Sequence, residues 1–299
     1  MAYSDNAASY AVKRLAAGPY LQDPPVHSLP WLMDWHPVDG RGVELGKVYK
    51  AKLGSTTTTS TTPTTSVSRD ETDPEAVVFY ELKRLRSEGK LWSDYPAIYS
   101  TSAQDPVRLQ VHGHLLSTMF GLGDNLFTSG GAGYAQALDN WLVAAQISDP
   151  GSFSLPAMDA LRKKISSNRG HPHVFLASAN GISKFTATCY GLGFAPPTAV
   201  CPLTGCEEYY HGGIPILRDD GVKDFGSPPR SSMYAVVFGW GHGFVGLFPA
   251  QNGMIQVQRV IQAGHQGADP YEWEGYRISL TCQTLLFREK AAARLDFTL

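Results

Sequence analysis

The sequence predicts an α+β fold, with helices grouped in the middle of the chain and strands around them, and three observations carry the prediction. Val111, Leu115, Met119, Leu122 and Leu126 recur at helical spacing, as do Leu155, Met158, Leu161 and Ile165 further on. From about residue 206 short apolar runs punctuated by glycines replace that period. Before residue 90 two apolar runs flank Ser55–Ser66, a stretch of Ser, Thr and Pro only. This order lacks the regular strand–helix alternation of a doubly wound parallel sheet.

The elements follow in chain order. Residues 1 to about 40 carry prolines at 19, 24, 25, 30 and 37, which bar a helix interior or a central strand and predict an extended arm. Trp31 and Trp35 on that arm need a surface, either another copy or the chain's own core. Val43, Leu45, Val48 and Tyr49 predict a strand leaving the body, and Val77, Val78, Phe79, Tyr80, Leu82 and Leu85 one returning. The Ser/Thr/Pro run between them cannot bury apolar surface and is expected to be a loop. A two-stranded hairpin is marginal alone, so it makes most sense lying on a neighbour.

Asp105-Pro106 is a helix start, with the carboxylate as cap and proline in the first turn. Ser154 caps a second helix, Val174–Ala177 reads as a buried strand, and Ile182, Phe185 and Cys189 mark a third helix. Strands are expected at Ile214–Leu217, Tyr234–Phe238, Phe244–Phe248 and Ile255–Ile261. Asn252-Gly253, between two of these, is the strongest short-range hairpin signal in the chain. Tyr276, Ile278, Leu280 and Cys282 alternate with Arg277, Ser279, Thr281 and Gln283, which predicts a long strand with one face open to solvent or a partner.

Composition narrows the function. Charged residues are 17% of 299, low beside the roughly 25% of an ordinary soluble domain, as in a protein that hides surface in partners. The net charge of −2 supplies no basic field for specific nucleic-acid binding, while an inner wall that tolerates DNA remains compatible with it. No signal peptide is read at Met1, and no apolar run is long enough for a membrane span, so a soluble protein made in a reducing cytoplasm is expected. Four cysteines are too few for a disulfide framework.

No phosphate-binding loop, nucleophile elbow or zinc-protease helix is present in the sequence. Gly239-Trp-Gly241-His-Gly243 lies between strands and reads as a turn. Cys201, Cys206 and His211 are the sharpest metal-like cluster, yet the spacing is unusual and a fourth ligand is missing, so free thiols around a turn are the preferred reading. Asp219-Asp220-Gly221 reads as a loop turn. No catalytic residue, metal site or cofactor is assigned.

The order of elements, together with Gly213-Ile-Pro-Ile216 before Arg218-Asp-Asp220, resembles the major capsid proteins of tailed bacteriophages, the Hong Kong 97-type fold. His173-Val-Phe-Leu-Ala-Ser178, Tyr234-Ala-Val-Val-Phe-Gly239 with Gly246-Leu247, Glu272-Trp-Glu-Gly-Tyr276 and Ala292-Ala-Arg-Leu295 add to the likeness. It covers residues 100–299 by motif and 1–99 by architecture. It implies an N-arm (1–40), an E-loop (41–88), a peripheral domain with a long spine helix (89–150), an axial domain (151–262) and a return strand completing the peripheral domain (263–299). It further implies hexamers and pentamers of an icosahedral shell around double-stranded DNA, assembled in the host cytoplasm. Expected partners are other copies, a separate scaffolding protein, a portal protein and decoration proteins. Trp31, Trp35, Val48, Tyr49, Arg69, Asp70, Glu71, Phe79, Tyr80 and Arg84, on the arm and hairpin, are the candidate contacts between copies. An encapsulin-type nanocompartment is the alternative on the same fold. A cytosolic metal enzyme using Cys201, Cys206 and His211 is the alternative of another class.

Overall fold

The computed structural model describes residues 26–38, 45–50, 75–81, 83–92, 106–128, 135–166, 171–250, 253–262 and 273–299. The Ser/Thr/Pro run at 55–66 and the charged residues Arg69, Asp70 and Glu71 lie outside them.

The arm folds onto its own body. Residues Leu29–Leu32 form one helical turn, α1, with Pro30 in its first turn, where a missing N–H costs nothing. Asp34–Val38 then forms β1, which pairs in parallel with β11 (Phe244–Pro249) at the edge of a five-stranded sheet. An edge tolerates Pro37. Trp35 stands opposite Gly246 in that ladder, and a Cβ at Gly246 would fall 2.1 Å from the Trp35 ring. Only glycine leaves room for the indole. Of the two surfaces open to the arm, residues 26–38 use the chain's own core.

The rest of that sheet is built on β13 (Trp273–Leu286), a strand of 14 residues. β4 (Lys83–Trp92) and β12 (Ile255–Gln262) pair with it antiparallel, and so does β11. The Asn252-Gly253 hairpin does not form. Phe244–Leu247 lies opposite Leu286–Gln283, and Ile255–Gln262 opposite Leu280–Trp273. β11 and β12 therefore follow one another along β13 in the same direction. Gly253, at φ +69°, donates to the Pro249 carbonyl at 3.1 Å.

The polar side of β13 is also not free. Ser279, Thr281, Gln283 and Thr284 are buried. The strand has neighbours on both edges, and α2 (Pro106–Asn125) packs across β4 and β13. Residues 136–141 complete the cover: Gln136 N–H donates to Gln283 Oε1 at 2.5 Å, and Trp141 Nε1 donates to Thr284 Oγ1 at 3.2 Å. The period of two reported alternation of chemistry, and buried Gln283 and Thr284 find hydrogen-bond partners inside.

The second sheet has seven strands: β5 (Ile147–Ser152), β14 (Ala292–Thr298), β10 (Arg230–Val236), β6 (Val174–Ala177), β9 (Ile214–Arg218), β8 (Glu207–His211) and β7 (Thr198–Val200), in that spatial order. β6 sits between β10 and β9 with all four residues buried, which is why it reads as an unbroken apolar run. Helices α4 (Leu155–Ser166) and α5 (Ala179–Gly191) pack on this sheet through Met158, Leu161 and Ile165 and through Phe185 and Cys189. Ser154 Oγ accepts the Ala157 N–H at the start of α4. Side chains of both sheets, among them Phe175, Leu176, Ile278 and Leu280, join one hydrophobic core. The sheets cross the segment boundaries read from sequence: β4 spans residue 88, β11 and β12 leave the 151–262 segment for the five-stranded sheet, and β14 leaves 263–299 for the seven-stranded one.

A polar network pins α3 (Leu138–Trp141) to the seven-stranded sheet. Tyr234 donates to Asp139 Oδ1 at 2.9 Å, and Arg294 bridges Asp139 and Asp296 at 2.8 and 2.7 Å. Burial, then the Asp139 charge, pushes the Tyr234 phenol well above its usual range. The folded-state value is raised, so this contribution is whole below the unfolded value of about 10 and is lost as pH rises beyond it. We expect the tyrosinate absorbance of Tyr234 to appear only with alkaline unfolding, and Tyr234→Phe to remove one tyrosine from that step. Ionisation of Tyr234 in the still-folded chain near pH 10 is the contrary result.

Candidate assembly interface

The residues expected to touch neighbouring copies fall in three places. Trp31 and Trp35 are half-buried on the arm, and Trp35 Nε1 donates to the Pro30 carbonyl at 2.8 Å. Val48 and Tyr49 lie on β2 (Leu45–Lys50), Phe79 and Tyr80 on β3 (Glu75–Glu81), and these strands pair antiparallel as a two-stranded sheet apart from the larger two. Arg84 is on β4, opposite Thr281. Arg69, Asp70 and Glu71 lie outside the described residues. β1 of the arm and β4, which follows the hairpin, belong to the same sheet.

What fastens the arm was not anticipated. Val26–Leu29 runs along the turn after β9, where Asp219 is fully buried. The Asp219 carboxylate accepts the Leu29 N–H at 2.7 Å and the Gly221 N–H at 2.8 Å, and faces His27 Nδ1 at 3.3 Å. It caps α1 from a distance, since Ser28 at the N-cap position makes no side-chain cap of its own. Ser28 Oγ instead donates to the Arg218 carbonyl at 2.7 Å. Asp220 pairs with Val26 twice, its carboxylate taking the Val26 N–H at 2.8 Å and its own N–H donating to the Val26 carbonyl at 2.7 Å. The His27 ring fills the space over Gly123 of α2, where a Cβ would fall 2.4 Å away. Arm, long helix and turn meet at one junction. The turn chemistry read for Asp219-Asp220-Gly221 is present, and the same carboxylates do a second task. The available signal was two adjacent carboxylates just after the apolar run Ile214–Leu217, with only Arg218 between.

A second feature was also missed. From Phe185 to Cys206 the chain has no Asp, Glu, Lys or Arg. Within this run Tyr190, Leu192, Phe194, Val200 and Leu203 are exposed, Leu192 at 62% and Val200 at 71%. They run from the last turn of α5 through β7, the last strand of the seven-stranded sheet, whose outer edge has no partner among the described residues. Edges of monomers are commonly guarded by charge, and this one is not. Four residues between Pro197 and Pro202 are too few for strand addition, so the surface offers side-chain contact instead.

The metal-like cluster does not assemble. Cys201 and Cys206 face each other across the β7–β8 hairpin, but His211 is at the far end of β8 and meets Asp159 Oδ1 at 3.1 Å. Among the described residues no group of three or more His, Cys, Asp or Glu is placed to hold a metal ion. His173 accepts the Phe238 N–H, and burial, followed by the charge of His242, holds its ring below the usual histidine range. Gly239–Gly243 is a tight turn in which Trp240 meets His36 at a tilt, 4.5 Å between ring centres, and Phe287 edge-to-face at 4.9 Å. Among the described residues no helix is long and apolar enough to cross a membrane.

No protein-family model and no curated protein matches the sequence. Solved structures match the fold over nearly its whole length. The SrpI encapsulin complex of Synechococcus elongatus PCC 7942 overlays with a TM-score of 0.69 at 19% identity, covering 99% of this chain and 96% of that one. The capsid of a native GTA particle gives 0.63 at 14% identity, over 95% and 98%. The structure of Mycobacterium phage Bobi gives 0.59 at 12% identity, over 94% of both chains. At these identities the likeness is one of fold, and the chain has the Hong Kong 97-type capsid fold.

Proposed function

We propose that this chain is a shell subunit, which assembles with copies of itself into the hexamers and pentamers of an icosahedral capsid enclosing the double-stranded DNA of a tailed phage. One observation carries the reading: the fold of an encapsulin and of phage-type capsids matches over 94–99% of this chain. The mechanism is geometric. The body formed by the two sheets is the wedge, and closed symmetry lets one set of contacts repeat around each axis. The β2–β3 hairpin, with Val48, Tyr49, Phe79 and Tyr80, lies across a neighbour in this reading, joined by Arg84 and residues 69–71, while the arm that carries Trp31 and Trp35 is seated on its own body. The uncharged run 190–203 supplies a further apolar contact between copies. DNA touches the inner wall without sequence preference, scaffolding and portal proteins direct closure, and decoration proteins add to the finished shell. The reading assigns the chain no reaction.

The encapsulin overlay, with the highest TM-score of the three, favours a second reading in which the shell encloses protein cargo. Light scattering and negative-stain microscopy of the purified chain test the shared part. Rings or closed shells tens of nanometres across are expected, and a 32.5 kDa monomer that stays monomeric with phage scaffolding present overturns both readings. Nuclease-protected DNA in particles from the natural source selects the phage reading, and co-purifying protein with no DNA selects the compartment.

A further inference from the structure

The β7–β8 ladder pairs Thr198 with Tyr209, Ala199 with Glu208 and Val200 with Glu207. The next step of that register sets Cys201 opposite Cys206, and the Cys201 N–H donates to the Cys206 carbonyl at 2.8 Å. Residues 202–205 form the tip, closed by Gly205, at φ +72°, donating to the Cys201 carbonyl at 2.7 Å. Directly opposed residues of an antiparallel pair project from the same face, with Cα atoms roughly 5.5 Å apart when hydrogen-bonded. A disulfide accepts Cα separations of about 4.4–6.8 Å. The two sulfurs can be joined without a change of register.

Both residues are free thiols here, with opposite exposure: Cys206 is open to solvent and Cys201 is buried. We propose that Cys201 and Cys206 form a redox-active dithiol, which a small-molecule disulfide of the oxidised-glutathione class closes into an intrachain disulfide. Cys206, the exposed thiol, attacks first as its thiolate. One oxidant S–S bond breaks, a mixed disulfide forms on Cys206, and the first small thiol departs with a proton from solvent. Cys201 then loses its proton to solvent and attacks the Cys206 sulfur, expelling the second small thiol. Two protein thiols are oxidised by two electrons, and one disulfide oxidant is reduced to two thiols. The remaining cysteines do not compete. Cys189 and Cys282 are buried, and burial pushes the Cys189 thiol up and the Cys282 thiol up to about 12, so neither supplies thiolate near neutrality. Closure makes a six-residue ring at the tip that carries Leu203, open in a reducing cell and closed outside it.

The full-length chain, incubated with oxidised glutathione at pH 8, then unfolded at low pH and alkylated with iodoacetamide in denaturant before mass analysis, tests this. The expected product has lost two of its four alkylatable thiols and yields a 201–206 cross-linked peptide, with no glutathione retained. Cys201→Ser should trap glutathione on Cys206. Cys206→Ser, at an exposed position that leaves folding intact, should retain all its remaining thiols. A wild-type chain that keeps glutathione on Cys206 with Cys201 alkylated, or that joins Cys206 to a second chain, overturns the proposal.

Discussion

Asp219→Ala is expected to cost about 3 kcal/mol of folding stability and to release residues 26–38 from the body. The estimate counts the two buried backbone donors left without an acceptor, Leu29 N–H and Gly221 N–H, at about 1–3 kcal/mol each. The His27 contact is lost as well and adds to the sum. Asp219→Asn keeps one acceptor oxygen in place and should lose less, because one of the two donors keeps a partner. Urea unfolding reads the first effect as a lower midpoint at unchanged slope. Limited proteolysis reads the second as new cleavage between residues 26 and 38. A midpoint within about 0.5 kcal/mol of the wild type, the range of ordinary surface changes, together with a protected arm, would show that the junction does not hold it.

The second large effect is on assembly and leaves the subunit intact. Leu192→Asp combined with Val200→Asp places two carboxylates in the uncharged run. Both positions are largely exposed, so the folded monomer should keep its unfolding midpoint. In a contact between copies the same carboxylates must be desolvated without partners, at several kcal/mol per ion. Each 1.4 kcal/mol weakens association tenfold, and the penalty recurs at every copy around a ring. Light scattering should therefore find small soluble species where the wild type forms shells. Val143→Asp, also exposed but outside the run, is the control and should assemble. Normal shells from the double variant would remove the run from the interface and leave the contacts to the arm and hairpin.

Local signals in the sequence translated well wherever one segment decides its own conformation. Pro106 does begin the long helix, Ser154 does cap the next, and Val174–Ala177 is a strand with every residue inside. The hairpin at 45–81 was legible for the same reason, since two apolar runs close in sequence can only pair with each other or with nothing nearby. What failed needed a partner far along the chain. Asn252-Gly253 carries turn chemistry, but β13, 20 or more residues later, offers an edge long enough for both flanking strands, and each takes it. Ser279, Thr281 and Gln283 alternate as on a solvated face, yet all three are buried, and Gln283 is met by Gln136 from far up the chain. Asp219 looked complete as a turn residue, because nothing local shows that Leu29 will need an acceptor. Of the residues expected to touch other copies, the structure places Trp35 against Gly246 of its own chain.

The pairing of β1 with β11 has a consequence for synthesis. Trp35 waits for Gly246, and Leu29 for Asp219, both about 200 residues downstream. At the ribosome's pace of about 5–20 residues per second, the arm is out for roughly 10–40 s before either exists. The first segment made is thus among the last to be placed. During that interval Trp31 and Trp35 lack their final setting, and nascent chains arrested before residue 219 expose them to whatever binds indoles on an unfinished polypeptide, a chaperone or a neighbouring chain included.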